Sequence, residues 1–190
     1  ETIAKTAPQS ADAARLAAAV EAANAAVIEA ALNGLGKPGM GCTATCAYIE
    51  NDTLAIAHVG DSRAYLLHEG TLIRVTRDHS YVEELVDAGE ITADEARVHP
   101  NRSVITRALG SDPAMYADHF TLHIEEGDRL ILCSDGLSSM IPDSDIENIA
   151  TQSSTAQICV DNLVDAALAA GGHDNVTVVV VDLVDDGVMR

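Results

Sequence analysis

Leu16, Val20, Ala23, Val27 and Ala31 recur every three or four positions, the spacing that gathers side chains on one face of a helix. The pattern predicts a helix from a Ser10 cap to about Leu32, closed by Asn33-Gly34. The stretch GLGKPGMG, residues 34–41, predicts a flexible connection. The pattern then changes to strands. Cys42–Glu50 and Thr53–Val59 flank Asn51-Asp52, and Ala64–His68 and Thr71–Val75 flank Glu69-Gly70. Two-residue turns of this kind predict antiparallel hairpins.

Residues 79–110 are polar and helical and predict an excursion over the surface between sheet segments. A helix is expected at Tyr81–Ala88. Thr92-Ala93-Asp94-Glu95 offers a capping box for another, and His99-Pro100 ends it. Sheet resumes at Phe120–Ile124, turns at Glu126-Gly127 and continues through Asp128–Cys133. Helix follows Pro142, and again from Thr155 to Ala170, where Ile158, Leu163, Val164 and Leu168 repeat before Gly171-Gly172. Val176–Val184 is a β-branched apolar run that predicts a strand buried on both faces. Hairpin-linked strands with helices before and after them predict an α+β fold, antiparallel sheet under helical cover.

The chain has 190 residues, enough for one domain with a real core, and 47% of them are hydrophobic. Aromatics are only 3%, so Ala, Val, Ile and Leu must build that core. A net charge of -19, with 11 Lys and Arg against 30 Asp and Glu, argues against nucleic acid and against anionic membrane surfaces. Cys42, Cys46, Cys133 and Cys159 form no CxxC pair and sit in apolar stretches. Buried free thiols are expected, which suits a reducing cytoplasm. No apolar run reaches the ~18 residues of a membrane span. ETIAKTAPQS, the first ten residues, lacks the charged start and apolar centre of a signal peptide.

Three aspartates share a local setting. Asp61 leaves the strand LAIAHV through a glycine, Asp135 follows the strand RLILC in Ser-Asp-Gly, and Asp174 precedes VTVVVV in His-Asp-Asn. In antiparallel sheet, exits of some strands lie beside entrances of others, so the carboxylates can gather at one end. Gathered carboxylates repel unless a cation sits among them, and oxygen donors alone select Mg²⁺ or Mn²⁺. Carboxylate-held metal pairs activate water and clamp a phosphoryl group, so hydrolysis of a phosphate ester is the chemistry implied. Asp beside Gly is a common turn signature, and on spacing alone the turn reading stands ahead of a metal site.

The blocks Gly39-Met40-Gly41-Cys42-Thr43-Ala44, HVGDSRAYLL (58–67), CSDGL (133–137) and GGHDNVTVVVV (171–181) resemble the type 2C, or PPM, protein phosphatase family in order and approximate spacing. Residues 76–110 are similar to the flap segment of its bacterial branch. The resemblance implies a four-layer α-β-β-α sandwich of two antiparallel sheets flanked by helices, with residues 79–110 as a flap subdomain. It implies Asp135 and Asp174 as catalytic residues holding two Mn²⁺ or Mg²⁺ ions, Asp61 as a ligand of a third, and Gly136 as a shaper of the loop. The implied reaction is hydrolysis of phosphoserine and phosphothreonine in proteins by direct attack of water. The implied partners are phosphoprotein substrates of a bacterial serine/threonine kinase, in the cytoplasm or on a domain whose anchor lies elsewhere.

The chain departs from the family at its start. The family opens with strands and an Asp-Gly-Met-Gly-Gly-His block, whose aspartate bridges the catalytic metals, and with an arginine that grips phosphate. Gly39-Met40-Gly41 does not replace the block, because Pro38 stands at the aspartate position. The expectation is a catalytic domain incomplete at its N-terminus, with weak or no activity of its own. Open sheet edges would then be covered by the missing segment or by self-association. Two alternatives stand beside it: a non-catalytic pseudophosphatase binding module, and a phosphatase dedicated to a regulatory partner such as an anti-sigma antagonist. Among the other polar residues, His58 is expected in the core and Arg63 to anchor its own turn. Asp78-His79 is expected to cap a helix, His173 to be exposed, and Arg102 and Arg107 to form surface ion pairs.

Overall fold

The computed structural model describes residues 11–184; the expected Ser10 cap lies outside them. In chain order the elements are α1 (Ala11–Leu32), β1 (Ala44–Glu50), β2 (Thr53–Val59), β3 (Arg63–His68), β4 (Thr71–Arg74), α2 (Tyr81–Asp87) and α3 (Ala93–Val98). β5 (Asp118–His123), β6 (Arg129–Cys133), α4 (Asp135–Ser138), α5 (Asp143–Gln152), α6 (Ala156–Ala169) and β7 (Val178–Asp182) complete them. They divide into two compact units, one taking the described residues up to 61 with 78–123, the other 62–77 with those from 124 onward.

The first unit is built on an antiparallel sheet of order β1-β2-β5. α1 covers it through Ala17 and Val20, which pack with Ala57, Val59, Leu109, Met115 and Ala117. The buried line of α1 is Ala13, Ala17, Val20 and Asn24; of the expected line, Val20 is buried and Leu16 packs beside it, Val27 and Ala31 are half-buried, and Ala23 alone is exposed. In so alanine-rich a helix the face is set by a polar tie. Asn24 donates from Nδ2 to the Asp112 carbonyl at 2.8 Å and accepts from Gly110 N–H at 2.7 Å, so it is buried without an unsatisfied group. The helix stops as expected: Gly34 N–H bonds to Ala31 O and Leu35 N–H to Ala30 O, the Schellman pattern.

The same unit carries α2 and α3. Ser80 caps α2, its side chain accepting from Glu83 N–H; the expectation that Asp78-His79 does so is corrected. The capping box of α3 is as expected, with Thr92 and Glu95 each bonding the other's backbone N–H.

The second unit holds an antiparallel sheet of order β4-β3-β6-β7 under α4, α5 and α6. Tyr65, Ile131, Leu137, Ile146 and Leu163 are fully buried in its core; a Leu or Ile so placed contributes roughly 1.5–3 kcal/mol. Arg129 is buried there and bonds both carboxylate oxygens of Asp182 and the carbonyls of Ala150 and Ser153. That satisfies the charge and ties β6 to β7 and to the end of α5.

Both hairpins form as expected. The turn at Glu126-Gly127 joins strands of different sheets, β5 in one and β6 in the other. β7 is not buried on both faces: Val178 and Val180 pack on the core, while Val179 is 49% exposed. Among the described residues β7 is an outer strand, which leaves its second edge and face less covered. Cys46 is half-buried and Cys133 and Cys159 are buried, all three as free thiols, whereas Cys42 lies exposed ahead of β1 rather than within a strand.

Candidate metal centre

Asp135 and Asp174 are brought together by one serine. Ser134 ends the run from β6, and its N–H bonds to Thr177 O at 3.0 Å. Its Oγ donates to Asn175 O at 3.2 Å and accepts from Thr177 N–H at 3.1 Å. The loop that enters β7 is thereby sewn to the residue before Asp135. Gly136 completes the approach: a Cβ there would run into the Asn175 carbonyl, so only glycine lets the two backbones lie so close. Asp135 is half-buried in the first turn of α4, and Asp174 is exposed, its Oδ1 accepting from Asn175 N–H at 2.7 Å. The two carboxylates therefore stand on adjoining loops at one end of the β6–β7 pair.

Asp61 closes the first unit, one residue beyond Gly60. Gly60 has φ +109°, a region that side chains rarely adopt, and a Cβ there would meet Thr43. Both backbone groups of Gly60 are held by His79. His79 N–H donates to Gly60 O at 2.7 Å, and Gly60 N–H donates to His79 Nδ1 at 3.0 Å. His79 Nδ1 is thus an acceptor, so the neutral ring carries its proton on Nε2, which donates to Asp118 Oδ2 at 3.1 Å. Arg107 donates to Asp118 Oδ1 at 2.6 Å and to the Tyr116 hydroxyl at 3.0 Å, with its guanidinium 4.1 Å from the centre of the Tyr116 ring.

Sheet register explains how this row assembles. Thr45, His58 and Asp118 are direct cross-strand partners on β1, β2 and β5. His58 is buried, shares a hydrogen bond of 2.9 Å with the Thr45 hydroxyl and stacks on His79 at 4.9 Å. Burial lowers the His79 pKa below the ordinary imidazole value, against the opposing pull of Asp118. Burial works to raise Asp118, but the hydrogen bonds from His79 and Arg107 outweigh it and hold its carboxyl below the usual range.

His58 is in the core as expected, and His173 is exposed. Arg63 reaches the Tyr65 hydroxyl at 3.0 Å and Asp143, at the start of α5, at 3.5 Å. The His79–Asp118–Arg107 row was not foreseen. Asp78-His79 drew attention in the sequence, but Asp118 and Arg107 lie 39 and 28 positions from His79 and nothing local pairs them.

Oxygen donors such as Asp61, Asp135 and Asp174 are of the type that suits a hard divalent cation, and the segments that carry Asp135 and Asp174 adjoin. Among the described residues no group of three or more His, Cys, Asp or Glu side chains is arranged to hold a metal ion.

The fold and these loops define a class. The signature of the family described as Protein phosphatase 2C matches residues 6–176, and the chain belongs to that family. It is 40% identical over 144 residues to the serine/threonine phosphatase stp of Listeria welshimeri, covering 76% of this chain and 57% of that protein. It is 43% identical over 175 residues to the serine/threonine protein phosphatase PstP of Mycobacterium tuberculosis, covering 90% of this chain and 33% of that protein. The chain thus spans between a third and three-fifths of these relatives. The structure of the PstP catalytic domain in complex with two manganese ions superposes with a TM-score of 0.83 at 37% identity, covering 96% of this chain and 76% of that one. Two antiparallel sheets flanked by helices are therefore this family's fold.

Proposed function

We propose that the protein is a metal-dependent phosphatase of phosphoserine and phosphothreonine in proteins. Asp135 and Asp174 hold a Mn²⁺ or Mg²⁺ pair, and Asp61 serves a third ion. The single observation that carries this reading is the sewing of the Asp135 and Asp174 loops by Ser134, in a chain of a family whose named relatives are serine/threonine phosphatases. When bound, the ions neutralise phosphate charge and acidify the water that attacks phosphorus. The chain's part is positional. Ser134 fixes the spacing of the two loops, Asn175 N–H orients the Asp174 carboxylate, and Gly136 keeps the loops in contact. No cysteine is needed, and the buried Cys159 thiol, pushed up by burial, is not a nucleophile. Residues 79–110 form the flap that meets substrate, the substrates are phosphoproteins of a bacterial serine/threonine kinase, and the site works in the cytoplasm. No described helix is long and apolar enough to cross a membrane.

The test is Mn²⁺-dependent release of phosphate from a phosphothreonine peptide by the protein. Asp135→Asn and Asp174→Asn keep side-chain size, remove the charge, and are expected to abolish turnover. Ser134→Ala removes only the tie between loops and should weaken Mn²⁺ binding ~10–100-fold, the usual effect of losing a group that orients ligands. Unchanged turnover in either aspartate variant overturns the assignment.

A further inference from the structure

His79 is held at four points. Its N–H and Nδ1 take the carbonyl and the N–H of Gly60, its carbonyl accepts from Thr106 N–H at 2.8 Å, and its Nε2–H meets Asp118. The residue is 7% exposed, so its bonds to Gly60 are shielded from competing water. Gly60 and Thr106 have no sequence proximity to one another, and His79 is the residue that bonds both. On one side is the turn that presents Asp61. On the other is the returning end of the helical segment, where Arg107 follows Thr106 and grips Asp118.

We propose that His79 is a positioning residue that sets the Gly60-Asp61 turn and couples it, through Asp118 and Arg107, to the end of the 79–110 segment. The argument is geometric. Gly60 sits at φ +109°, where a glycine has little intrinsic preference to stay. An imidazole accepting its N–H and a backbone donor on its carbonyl hold it there. Asp118 locks the ring, since donation from Nε2 leaves Nδ1 free of a proton and able to accept. A disturbance at Arg107 or Asp118 therefore reaches Gly60 through one ring. The consequence for metal binding rests on the reading of Asp61 as a ligand; the setting of the turn does not.

The experiment uses the protein with two readouts: hydrogen–deuterium exchange at Gly60, and Mn²⁺ binding followed calorimetrically. In His79→Gln the side-chain amide can still reach Asp118 but offers no acceptor at the Nδ1 position. Gly60 exchange should accelerate, and the weakest Mn²⁺ site should lose ~10–100-fold in affinity with the tighter sites unchanged. His79→Asn places an amide oxygen where Nδ1 was and should restore much of the Gly60 protection. Asp118→Ala, made at a side chain that is 40% exposed, is the second arm and should reproduce a smaller acceleration at Gly60. Protection of Gly60 that is unchanged in both His79→Gln and Asp118→Ala overturns the proposal. So does equal loss in the Gln and Asn variants, which would make the effect one of packing. Asp61→Asn separates the two claims: if it leaves Mn²⁺ binding untouched while His79→Gln still frees Gly60, the positioning stands and the ligand reading of Asp61 falls.

Discussion

The His68–Asp128 pair shows how one contact makes stability depend on pH. His68 Nδ1 lies 2.7 Å from Asp128 Oδ1, and Asp128 Oδ2 accepts from Glu125 N–H at 2.9 Å. The hydrogen bond to Asp128, above all, raises the His68 pKa from its ordinary value. A raised folded-state pKa means that the protonated ring favours the folded protein. Its contribution is complete below the unfolded imidazole value of about 6.5 and is lost as pH climbs through the folded value. Melting curves of the protein and of His68→Ala should differ more at pH 5.5 than at pH 9; a gap that widens with pH would contradict the pairing. The sequence displays neither this pair, 60 positions apart, nor Arg63 with Asp143, 80 apart. Asp61, Asp135 and Asp174 stand out as candidates because each sits beside a local strand-end signal. Partners brought in by folding leave no such mark.

Local chemistry also decided what was legible among the elements. The α3 capping box and the two hairpin turns were readable because their causes lie within four consecutive residues. Sheet membership has a non-local cause, so the turn after β5 was seen while its crossing to another sheet was not. In α1 the expectation missed at Ala23 alone, since alanines give little contrast and Asn24 marks the buried side with a polar group. The α3 cap offers a check on the size of such local terms. Thr92→Ala removes the acceptor of Glu95 N–H and the partner of Glu95 Oε2, and should cost about 1 kcal/mol of helix stability. α3 has no buried residue, so the loss should appear as faster amide exchange confined to residues 93–98, with the melting temperature nearly unchanged. A large fall in global stability would mean that α3 is more tightly integrated than its exposure indicates.

Across the whole chain, Asp61 belongs to one unit and Asp135 and Asp174 to the other. No contiguous stretch holds all three; the family resemblance read them as a set because several blocks kept one order. Metal that binds only the folded state stabilises it by mass action, which gives the proposed site a measurable consequence. A hundredfold excess of metal over its Kd adds about 2.7 kcal/mol, whereas metal at a concentration equal to Kd adds only about 0.4 kcal/mol. With no group of three donors among the described residues, the 190-residue chain should fall near the lower figure in millimolar Mn²⁺. Asp135→Asn should remove even that gain. A rise near the higher figure would show that these residues make a complete site. A rise that survives Asp135→Asn would place the metal on ligands other than Asp135.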